Sequence, residues 1–306
     1  MSGIMVRADW PLYMQEGPRV SLAKMWDQTL DALPSLKEWY YHVEKTDQPF
    51  VAELGSIGLG PARRKLEGVP GMLDKPAQGR TMTYVFPSYS LGVAISREAQ
   101  DDDKQNKLVP LVMKELARSM FETMEEDAAN QLNDAFNAIG WEADGVALCS
   151  ASHPILKTGG TVSNISATAA ALSITSLDAA MLSLRTTLND TGRILTEITP
   201  EFLDLNPALL PDALRIIKTE RVLGSNNNDK NLYFGMLTPR SNPRLSNANR
   251  WFLRSSKHQW KWFNRLAKPE FDTHVDPIAK STIMTVYHRW GRGASDWRGV
   301  YGSDAP

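Results

Sequence analysis

One long amphipathic helix, predicted between Asp103 and Ile139, constrains this chain more than any other feature. Apolar residues recur there every three or four positions, which places them along one side of a helix; they are Leu108, Leu111, Val112, Leu116, Met120, Phe121, Met124, Ala128, Leu132, Ala135, Phe136 and Ile139. Because Pro110 is tolerated only in a first turn, the regular helix should begin near Asn106 or Lys107. Gly140 should end it. About 35 residues at roughly 1.5 Å each give a helix of roughly 50 Å, and its single apolar stripe indicates that it packs against a sheet.

Charged residues surround the apolar stripe of this helix. We interpret the residues of the opposite side as solvated surface, namely Lys114, Glu115, Arg118, Glu122, Glu125 and Glu126. Asp101, Asp102 and Asp103 stand at the predicted start, where the helix dipole favours negative charge. This interpretation is preferred to a site for a hard cation, which such carboxylates could also form.

Composition excludes several classes of protein. Among 306 residues the net charge is −1, which disfavours electrostatic binding to nucleic acid or to a membrane surface. No apolar run approaches the roughly 18 residues of a membrane span. The single cysteine, Cys149, excludes an internal disulfide framework and fits a reducing interior. Residues 1–19 lack the layout of a secretory signal, so we expect synthesis in a cytoplasm.

The chain before the long helix has two parts that differ in composition and in the pattern of apolar residues. Residues 1–20 lack periodicity and are interpreted as an arm, and Ser21 could cap a short helix that Pro34 closes. Between Asp47 and Gln78, glycine and proline are frequent, and clean alternation follows over Thr81–Phe86 and Tyr89–Ser96. This pattern predicts a projecting two-stranded ribbon with few large apolar residues. Such a ribbon cannot fold alone, so we expect another copy of the chain to cover it.

The chain after the long helix predicts a mixed α/β domain over residues 142–265. Its predicted helices are Ser176–Asn189 and Pro207–Thr219. Its predicted strands are Val146–Cys149, Glu201–Leu205, Leu232–Leu237, Trp251–Arg254 and Gln259–Phe263. Beyond this domain, Ser281–Trp290 alternates as a further strand.

Two local patterns could suggest catalysis or nucleotide binding. Gly55–Lys65 is rich in glycine and basic residues, but it lacks the Gly-Lys-Ser/Thr ending of a phosphate loop and no helix pattern follows it. We interpret it as a flexible loop. Cys149 and His153 could form a nucleophile and base, but no third orienting group is near them in sequence. We interpret them as a small buried thiol and a loop histidine.

Two further patterns could bind a metal or a nucleic acid. Asp272, His274 and Asp276 alternate, so a strand would place all three on one side as metal ligands require. This leaves a metal-dependent hydrolase as an alternative hypothesis, although the same pattern occurs on exposed strand edges. Five tryptophans with basic neighbours after residue 250 could stack on single-stranded nucleic acid, but strand cores explain them more simply. We therefore predict no catalytic, cofactor-binding or metal-binding residue and no cofactor.

The order of four segments resembles the major capsid protein family of tailed bacteriophages, which has the Hong Kong ninety-seven shell fold. Leu91–Asp103 resembles the strand and acidic turn that lead into the long spine helix of that family. The segment from Asp144 to Asn164 looks like the one after the spine. Leu188–Arg193 with Asn206-Pro207 resembles the domain that clusters at capsomer centres, and Asp296–Tyr301 looks like the terminal strand.

The resemblance implies an α+β fold with four parts. Residues 1–45 would be the N-terminal arm, and residues 46–97 the extended β-hairpin loop. Residues 98–141 and 266–306 would form the peripheral domain with the spine helix. Residues 142–265 would be the axial domain. The implied function is non-catalytic self-assembly, as pentamers and hexamers, into the icosahedral head shell that encloses double-stranded DNA in the virion.

The resemblance also implies partners. Because the first 20 residues are too few for a scaffolding segment, we expect a separate scaffolding protein, besides portal and decoration proteins. Contact with packaged DNA would be non-specific, and no membrane would be involved. Lys65 and Lys75 lie in the extended loop, but no asparagine and glutamate partners are identified, so crosslinks are not predicted. An encapsulin-like compartment shell, which resembles the same fold, is the alternative.

Overall fold

The computed structural model describes residues 35–68, 70–103, 108–137, 143–166, 168–221, 230–257 and 260–305. The predicted arm and the short helix after Ser21 lie outside the described residues. Contacts divide the chain into two compact units. Of the described residues, the first unit contains 35–49, Val85–Ala128 and Trp262–Arg292, and the second contains Phe50–Tyr84, Ala129–Lys261 and 293–305.

The helices and strands follow in chain order. The α-helices are α1 (Arg97–Asp102), α2 (Leu108–Asn133), α3 (Ile174–Arg185) and α4 (Leu210–Lys218), with short 3-10 helices at Lys37–Trp39 and Pro207–Leu209. The strands are β1 (Tyr41–Lys45), β2 (Phe50–Ile57), β3 (Ala77–Val85), β4 (Ser88–Ile95), β5 (His153–Pro154), β6 (Thr161–Val162), β7 (Phe202–Leu205), β8 (Thr238–Ser241), β9 (Trp251–Arg254), β10 (Trp260–Asn264), β11 (Glu270–Val275), β12 (Thr282–Gly293) and β13 (Val300–Ser303). Within the described ranges, no helix is both long enough and apolar enough to cross a bilayer.

Helix α2 confirms the predicted long amphipathic helix, but it is shorter. It has 26 residues, or about 39 Å at 1.5 Å per residue, and Pro110 lies in its first turn as expected. The predicted end at Gly140 is wrong, because the regular helix stops at Asn133. The side chain of Asn133 donates to the carbonyl of Arg244 at 3.1 Å and accepts the N–H of Ser246 at 2.9 Å. Beyond it the carbonyl of Ala135 accepts the N–H of Cys149 at 2.8 Å, so this carbonyl has a partner outside the helix.

One residue of α2 contradicts the prediction of a solvated outer face. Glu125 is only 1% exposed. Its carboxylate accepts the hydroxyl of Ser35 at 2.8 Å and the N–H groups of Leu36 at 2.7 Å and Lys37 at 3.1 Å. These donors stand at the start of the 3-10 helix Lys37–Trp39, where backbone N–H groups lack partners within the helix. Glu125 therefore anchors the chain segment that follows residue 34.

The acidic run before α2 is divided between two helices. Asp103 lies at the expected place, since its carboxylate accepts the N–H of Leu108 at 2.7 Å. Asp101 and Asp102 instead belong to the last turn of α1, and Asp101 forms an exposed ion pair with Arg97. Among the described residues, Asp103 is thus the one carboxylate of the three that satisfies a donor at the start of α2.

The sheet of the first unit is built around β12. Strands β1, β10, β12 and β11 follow one another in the sheet, and β4 also pairs with β12. The β4–β12 pair is antiparallel, from Ser88 opposite Arg289 to Ile95 opposite Thr282. Trp262 and Trp290 are completely buried and stack with ring centroids 5.8 Å apart. The predicted strands near residues 81–96 and 281–290 are confirmed. The assignment of the tryptophans to strand cores is confirmed for Trp251, Trp260, Trp262 and Trp290 but is wrong for Trp297, which is buried in a bend between β12 and β13.

The second unit contains a four-stranded sheet in the order β13, β9, β7 and β8. Strands β7 and β8 are parallel, while the other pairs are antiparallel. Apolar side chains from α3 and α4 share one buried cluster with this sheet, including Leu177, Met181, Leu184, Ile217, Leu203, Leu205, Trp251, Leu253 and Tyr301. The predicted helices and the strands at residues 201–205 and 251–254 are therefore confirmed with small shifts of their ends.

Two predicted strands of this unit are wrong. Val146–Cys149 forms bends, and the short pair β5–β6 follows it instead. Leu232–Leu237 forms turns, in which Gly235 has φ +70°. Its apolar residues suggested a strand, but this backbone angle favours glycine and interrupts an extended run.

The Asn164 side chain connects three backbone groups and one histidine ring in the second unit. Its amide nitrogen donates to the carbonyls of Leu148 at 2.7 Å and Val300 at 3.2 Å. Its side-chain oxygen accepts the N–H of Ser150 at 2.8 Å and lies 3.1 Å from Nε2 of His153. A buried polar residue with this many partners stabilises the loops around the terminal strand.

We expect Asn164→Asp to lower the free energy of unfolding by roughly 3 kcal/mol, since a carboxylate would face two carbonyl oxygens in a buried site. Urea unfolding of the unassembled chain, followed by tryptophan fluorescence, measures this change. Asn137→Asp is the control, because Asn137 is exposed and receives the same substitution. Equal stability of the two variants would contradict the role of Asn164.

Candidate assembly surfaces

The ribbon is the feature of the second unit that most needs a partner. Strands β2 and β3 pair only with each other among the described residues. The strands approach closely at Gly55, where a Cβ would lie 2.7 Å from the carbonyl oxygen of Arg80. One side of the ribbon is covered within the unit, as the burial of Ile57, Met82 and Tyr84 shows. A two-stranded ribbon gains little stability from its own pairing, so its other side decides its behaviour.

The uncovered side of the ribbon and its connecting loop expose large apolar side chains. We call this set the apolar ribbon surface: Phe50 (55% exposed), Leu54 (66%), Leu59 (57%), Leu66 (65%), Met72 (61%) and Leu73 (96%). The sequence was interpreted as holding few large apolar residues here, and that interpretation understated them. Single exposed apolar residues are ordinary, but a group on one projecting element marks an interaction surface.

The base of the ribbon is fixed by Glu53. Its carboxylate pairs with the Lys261 ammonium and accepts the hydroxyls of Ser295 at 2.5 Å and Tyr84 at 3.4 Å. Tyr84 and Ser295 also bond to each other at 2.7 Å. Burial alone would raise the pKa of Glu53, but the hydrogen bonds from Lys261 and Ser295 outweigh it and lower that pKa. The ribbon is thus held at its base while its apolar side stays open.

Asp74 closes the loop between the two ribbon strands. Its carboxylate accepts the N–H of Gly60 at 2.6 Å and the ammonium of Lys157 at 2.8 Å. The hydrogen bond from Lys157, followed by that from Gly60, lowers the pKa of Asp74 to about 2. The pair is partly exposed to solvent, so it orders the loop more than it stabilises the unit.

Three of the segments that carry the family resemblance meet around Arg80 of the ribbon. The Arg80 guanidinium donates to the carbonyl of Pro154 and lies 3.4 Å from the carboxylate of Asp190. The same carboxylate pairs with Arg298 at 3.1 Å, and Arg298 also pairs with Asp296 at 3.1 Å. This hydrogen bond and these ion pairs link the segments around residues 154, 190 and 298 to one ribbon strand.

His153 is not the loop histidine that the sequence suggested. It begins β5, is completely buried, and stacks on Trp297 with centroids 4.0 Å apart. Its Nδ1 lies 2.7 Å from the carboxylate of Asp144, and its Nε2 faces Asn164. Burial alone would raise the pKa of Asp144, but the hydrogen bond with His153 lowers it. Both ring nitrogens are engaged, so this histidine holds a loop in place.

The buried thiol of Cys149 does not act with His153. Burial raises the pKa of Cys149 far above its ordinary range, which leaves it a poor nucleophile. The thiol packs so close to Gly302 of β13 that a Cβ there would lie 2.7 Å from the sulfur. The interpretation of Cys149 as a small buried residue is therefore confirmed.

The remaining candidate sites are the alternating Asp272, His274 and Asp276 and the glycine-rich run Gly55–Lys65. Asp272 and His274 lie on β11, and Asp276 follows the strand and accepts the N–H of Ile278 at 2.8 Å in a turn. Among the described residues, no group of three His, Cys, Asp or Glu side chains is arranged to hold a metal ion. Residues 58–68 contain no helix, so the glycine-rich run offers no helix N-terminus to a phosphate.

A second apolar surface lies between α3 and the turns after residue 230. Leu182 on α3 is 65% exposed and Leu232 is 80% exposed. With Met181, Tyr233 and Met236 they line a groove of about 610 Å³. Sequence periodicity did not predict this surface, because Leu182 lies off the apolar stripe of α3 and Leu232 falls in a segment predicted as a strand.

Comparison with known proteins identifies the family to which this chain belongs. A family profile described as "Phage capsid protein" matches residues 80–303, which is well over half of the chain. No curated protein matches the sequence.

Solved capsid structures share the fold at low sequence identity. The capsid of a native GTA particle is 10% identical with a TM-score of 0.57, over 88% of this chain and 90% of that one. The decorated capsid of bacteriophage JBD30 is 14% identical with a TM-score of 0.57, over 80% and 100%. A structure from Mycobacterium phage Patience is 12% identical with a TM-score of 0.57, over 99% and 92%.

These comparisons confirm the α+β Hong Kong ninety-seven-type fold that the resemblance implied. The chain belongs to the phage capsid protein family, as a major capsid protein of the virion.

Proposed function

We propose that copies of this chain associate as pentamers and hexamers in an icosahedral head shell that encloses double-stranded DNA, and that the chain catalyses no reaction. The apolar ribbon surface is the observation that carries this proposal. Burying a large apolar side chain contributes about 1.5–3 kcal/mol, so six partly exposed ones offer on the order of 10 kcal/mol. That is comparable with the roughly 4–15 kcal/mol that association costs in lost freedom, so a neighbouring copy could be held there.

We propose that the four parts of the chain have the structural roles that the resemblance implies. Residues 1–45 act as the arm and residues 46–97 as the extended loop that reaches a neighbouring copy. Residues 98–141 and 266–306 act as the peripheral domain, and residues 142–265 as the axial domain around capsomer centres. The anchored base of the ribbon supports this assignment, since a loop that binds a neighbour gains from a fixed starting direction.

The proposed partners follow from the same role. A separate scaffolding protein, a portal and decoration proteins would act with the shell, and the JBD30 capsid is decorated with minor capsid protein trimers. Contact with packaged DNA would be non-specific, which agrees with a net charge of −1. Synthesis and assembly would take place in the cytoplasm of the host bacterium.

Two alternatives are less well supported. An encapsulin-like compartment would share the fold, but the family match is to phage capsid proteins. A metal-dependent hydrolase using Asp272, His274 and Asp276 is disfavoured because Asp276 is engaged in a turn rather than aligned with the other two.

Negative-stain electron microscopy tests the proposal directly. The chain is expressed alone and with its neighbouring genes, and we expect icosahedral particles in at least one condition. Persistence as a compact monomer under every assembly condition would contradict the proposal. Neighbouring portal and terminase genes would support a phage head over a cargo compartment.

A further inference from the structure

His288 is a buried histidine that the shell function does not explain. It lies on β12, the strand around which the first-unit sheet is built, and it is 1% exposed. Its ring packs 5.4 Å from that of Trp290. Its Nδ1 atom is buried and has no hydrogen-bond partner among the described residues. A neutral ring can tolerate an unpaired nitrogen of this kind, whereas a protonated ring would carry a buried charge without a partner.

A positive charge that acts on His288, that of Lys37, belongs to the anchored segment before β1. Lys37 is 8% exposed, and its ammonium lies 5.7 Å from the ring centre of Trp262. Residues 35–37 are held by one carboxylate, that of Glu125, through the three hydrogen bonds described above. The ring of Trp262 stacks on that of Trp290, and the ring of His288 also packs against Trp290, so Lys37 and His288 belong to one buried cluster. Because Lys37 is part of residues 35–37, it moves with the anchored segment.

The electrostatics of the cluster favour a neutral ring. Burial, followed by the positive charge of Lys37, lowers the pKa of His288 to about 4. Burial lowers the pKa of Lys37 as well, although Glu125 and Glu38 act in the opposite direction. Other titratable groups contact the two tryptophans of this cluster. Tyr41 of β1 packs on Trp262, Tyr89 of β4 stacks on Trp290, and Asp127 of α2 accepts the indole N–H of Trp290 and pairs with Arg292 of β12.

The sign of the pH dependence follows from these values. The pKa of His288 in the folded chain lies below the 6.5 of an exposed histidine. A form of the chain in which the cluster has opened and His288 is exposed therefore binds a proton on this ring more readily than the folded form does. The cluster is fully stable above about pH 6.5 and loses stability as the pH falls toward 4.

We propose that His288 makes the anchor of residues 35–37 acid-sensitive, so that protonation of its ring expels Lys37 and releases the segment from Glu125. Protonation displaces residues 35–37 rather than His288, because His288 lies on β12, which pairs with β4 and β11 along its length. Residues 35–37, in contrast, carry a short 3-10 helix held by a single carboxylate. Residues 1–34 precede this anchor, so acid would loosen the attachment of the proposed arm; that last step rests on the proposed function, while the release itself does not.

Hydrogen exchange of the unassembled chain tests the release. The amides of Leu36 and Lys37 both donate to Glu125 and report directly on the anchor. If opening restores an ordinary histidine pKa, the opening equilibrium should rise roughly 70-fold between pH 7.5 and pH 4.5, after correction for intrinsic exchange rates. The His288→Gln variant should lose most of this response. His42→Gln is the matched control, because His42 is exposed on β1, and it should respond as the wild type does.

An acid response that persists in His288→Gln would overturn the proposal, since protonation of another group would then cause the release. Should His288→Gln fail to fold, Lys37→Met gives the second test, because it removes the charge that is expelled. A weaker acid response in Lys37→Met supports the proposal, and an unchanged response overturns it.

Discussion

Replacing Leu54 and Leu73 together with aspartate is expected to abolish particle formation while leaving the free chain folded. The two side chains are 66% and 96% exposed, so the substitutions remove little buried area within one copy. In the assembled shell each aspartate would be a charge in an apolar contact, and an uncompensated buried charge costs several kcal/mol. Two such sites in every copy would cancel most of the roughly 10 kcal/mol that burial of the apolar ribbon surface offers.

Sedimentation and negative-stain microscopy measure particle formation, and the melting temperature of the free chain reports on folding. The control carries Asn137→Asp and Thr168→Asp, which add the same charge to exposed polar positions outside the ribbon. We expect the control to assemble. Normal particles from the Leu54 and Leu73 variant would show that the apolar ribbon surface is not an interface.

Asp204→Ala is expected to destabilise the second unit by about 3–5 kcal/mol, because it removes the buried carboxylate that pairs with the Arg254 guanidinium. Asp204 is 0% exposed and Arg254 is 3% exposed, and the Arg254 Nε donates to the Asp204 carboxylate. The residues lie on the adjacent antiparallel strands β7 and β9. The pair therefore stands inside the sheet, where solvent cannot replace the lost partner.

A double-mutant cycle measures this effect by urea unfolding. The combined variant Asp204→Leu and Arg254→Met should recover most of the lost stability, since an apolar pair of similar size needs no counter-ion. Asp212→Ala is the control, because its ion pair with Arg215 on α4 is exposed, and we expect no measurable change there. A double variant as unstable as Asp204→Ala would mean that packing, rather than charge, sets the cost.

The periodicity of apolar residues correctly predicted the helix and strands that bury only one of their sides. Leu116, Met120 and Met124 lie on one side of α2 and are buried, and β4 and β12 alternate as expected. Each of these elements covers a single core, so the repeat of its apolar residues carries the information. The end of α2 was not predictable in this way, because the partners of Asn133 lie more than a hundred residues away.

Polar residues with distant partners were the main failures. From its position in the sequence, Glu125 is predicted on the solvated side of the helix with Glu122 and Glu126. Its burial is explained by the hydrogen-bond donors of residues 35–37, which sequence spacing does not indicate. His153 appeared isolated in sequence, although Asp144 and Asn164 engage both of its ring nitrogens. Sequence spacing within one element contains no record of such partners.

The candidate site was partly predictable. Alternation and glycine content predicted a projecting ribbon that needs a neighbour, and the structure shows the two strands paired only with each other among the described residues. The apolar character of its open side was missed, because Leu59, Leu66, Met72 and Leu73 are scattered through a loop without a period. Only their exposure in the folded chain identifies them as one surface.

The central claim is that the ribbon is left uncovered in the free chain and becomes covered by neighbouring copies in the shell. Trypsin tests it most directly, because Arg63, Arg64 and Lys65 are exposed in the loop between the ribbon strands. We expect rapid cleavage there in the free chain and cleavage slower by at least about tenfold in assembled particles, as the site becomes protected. Equal cleavage rates in the two states would contradict the account.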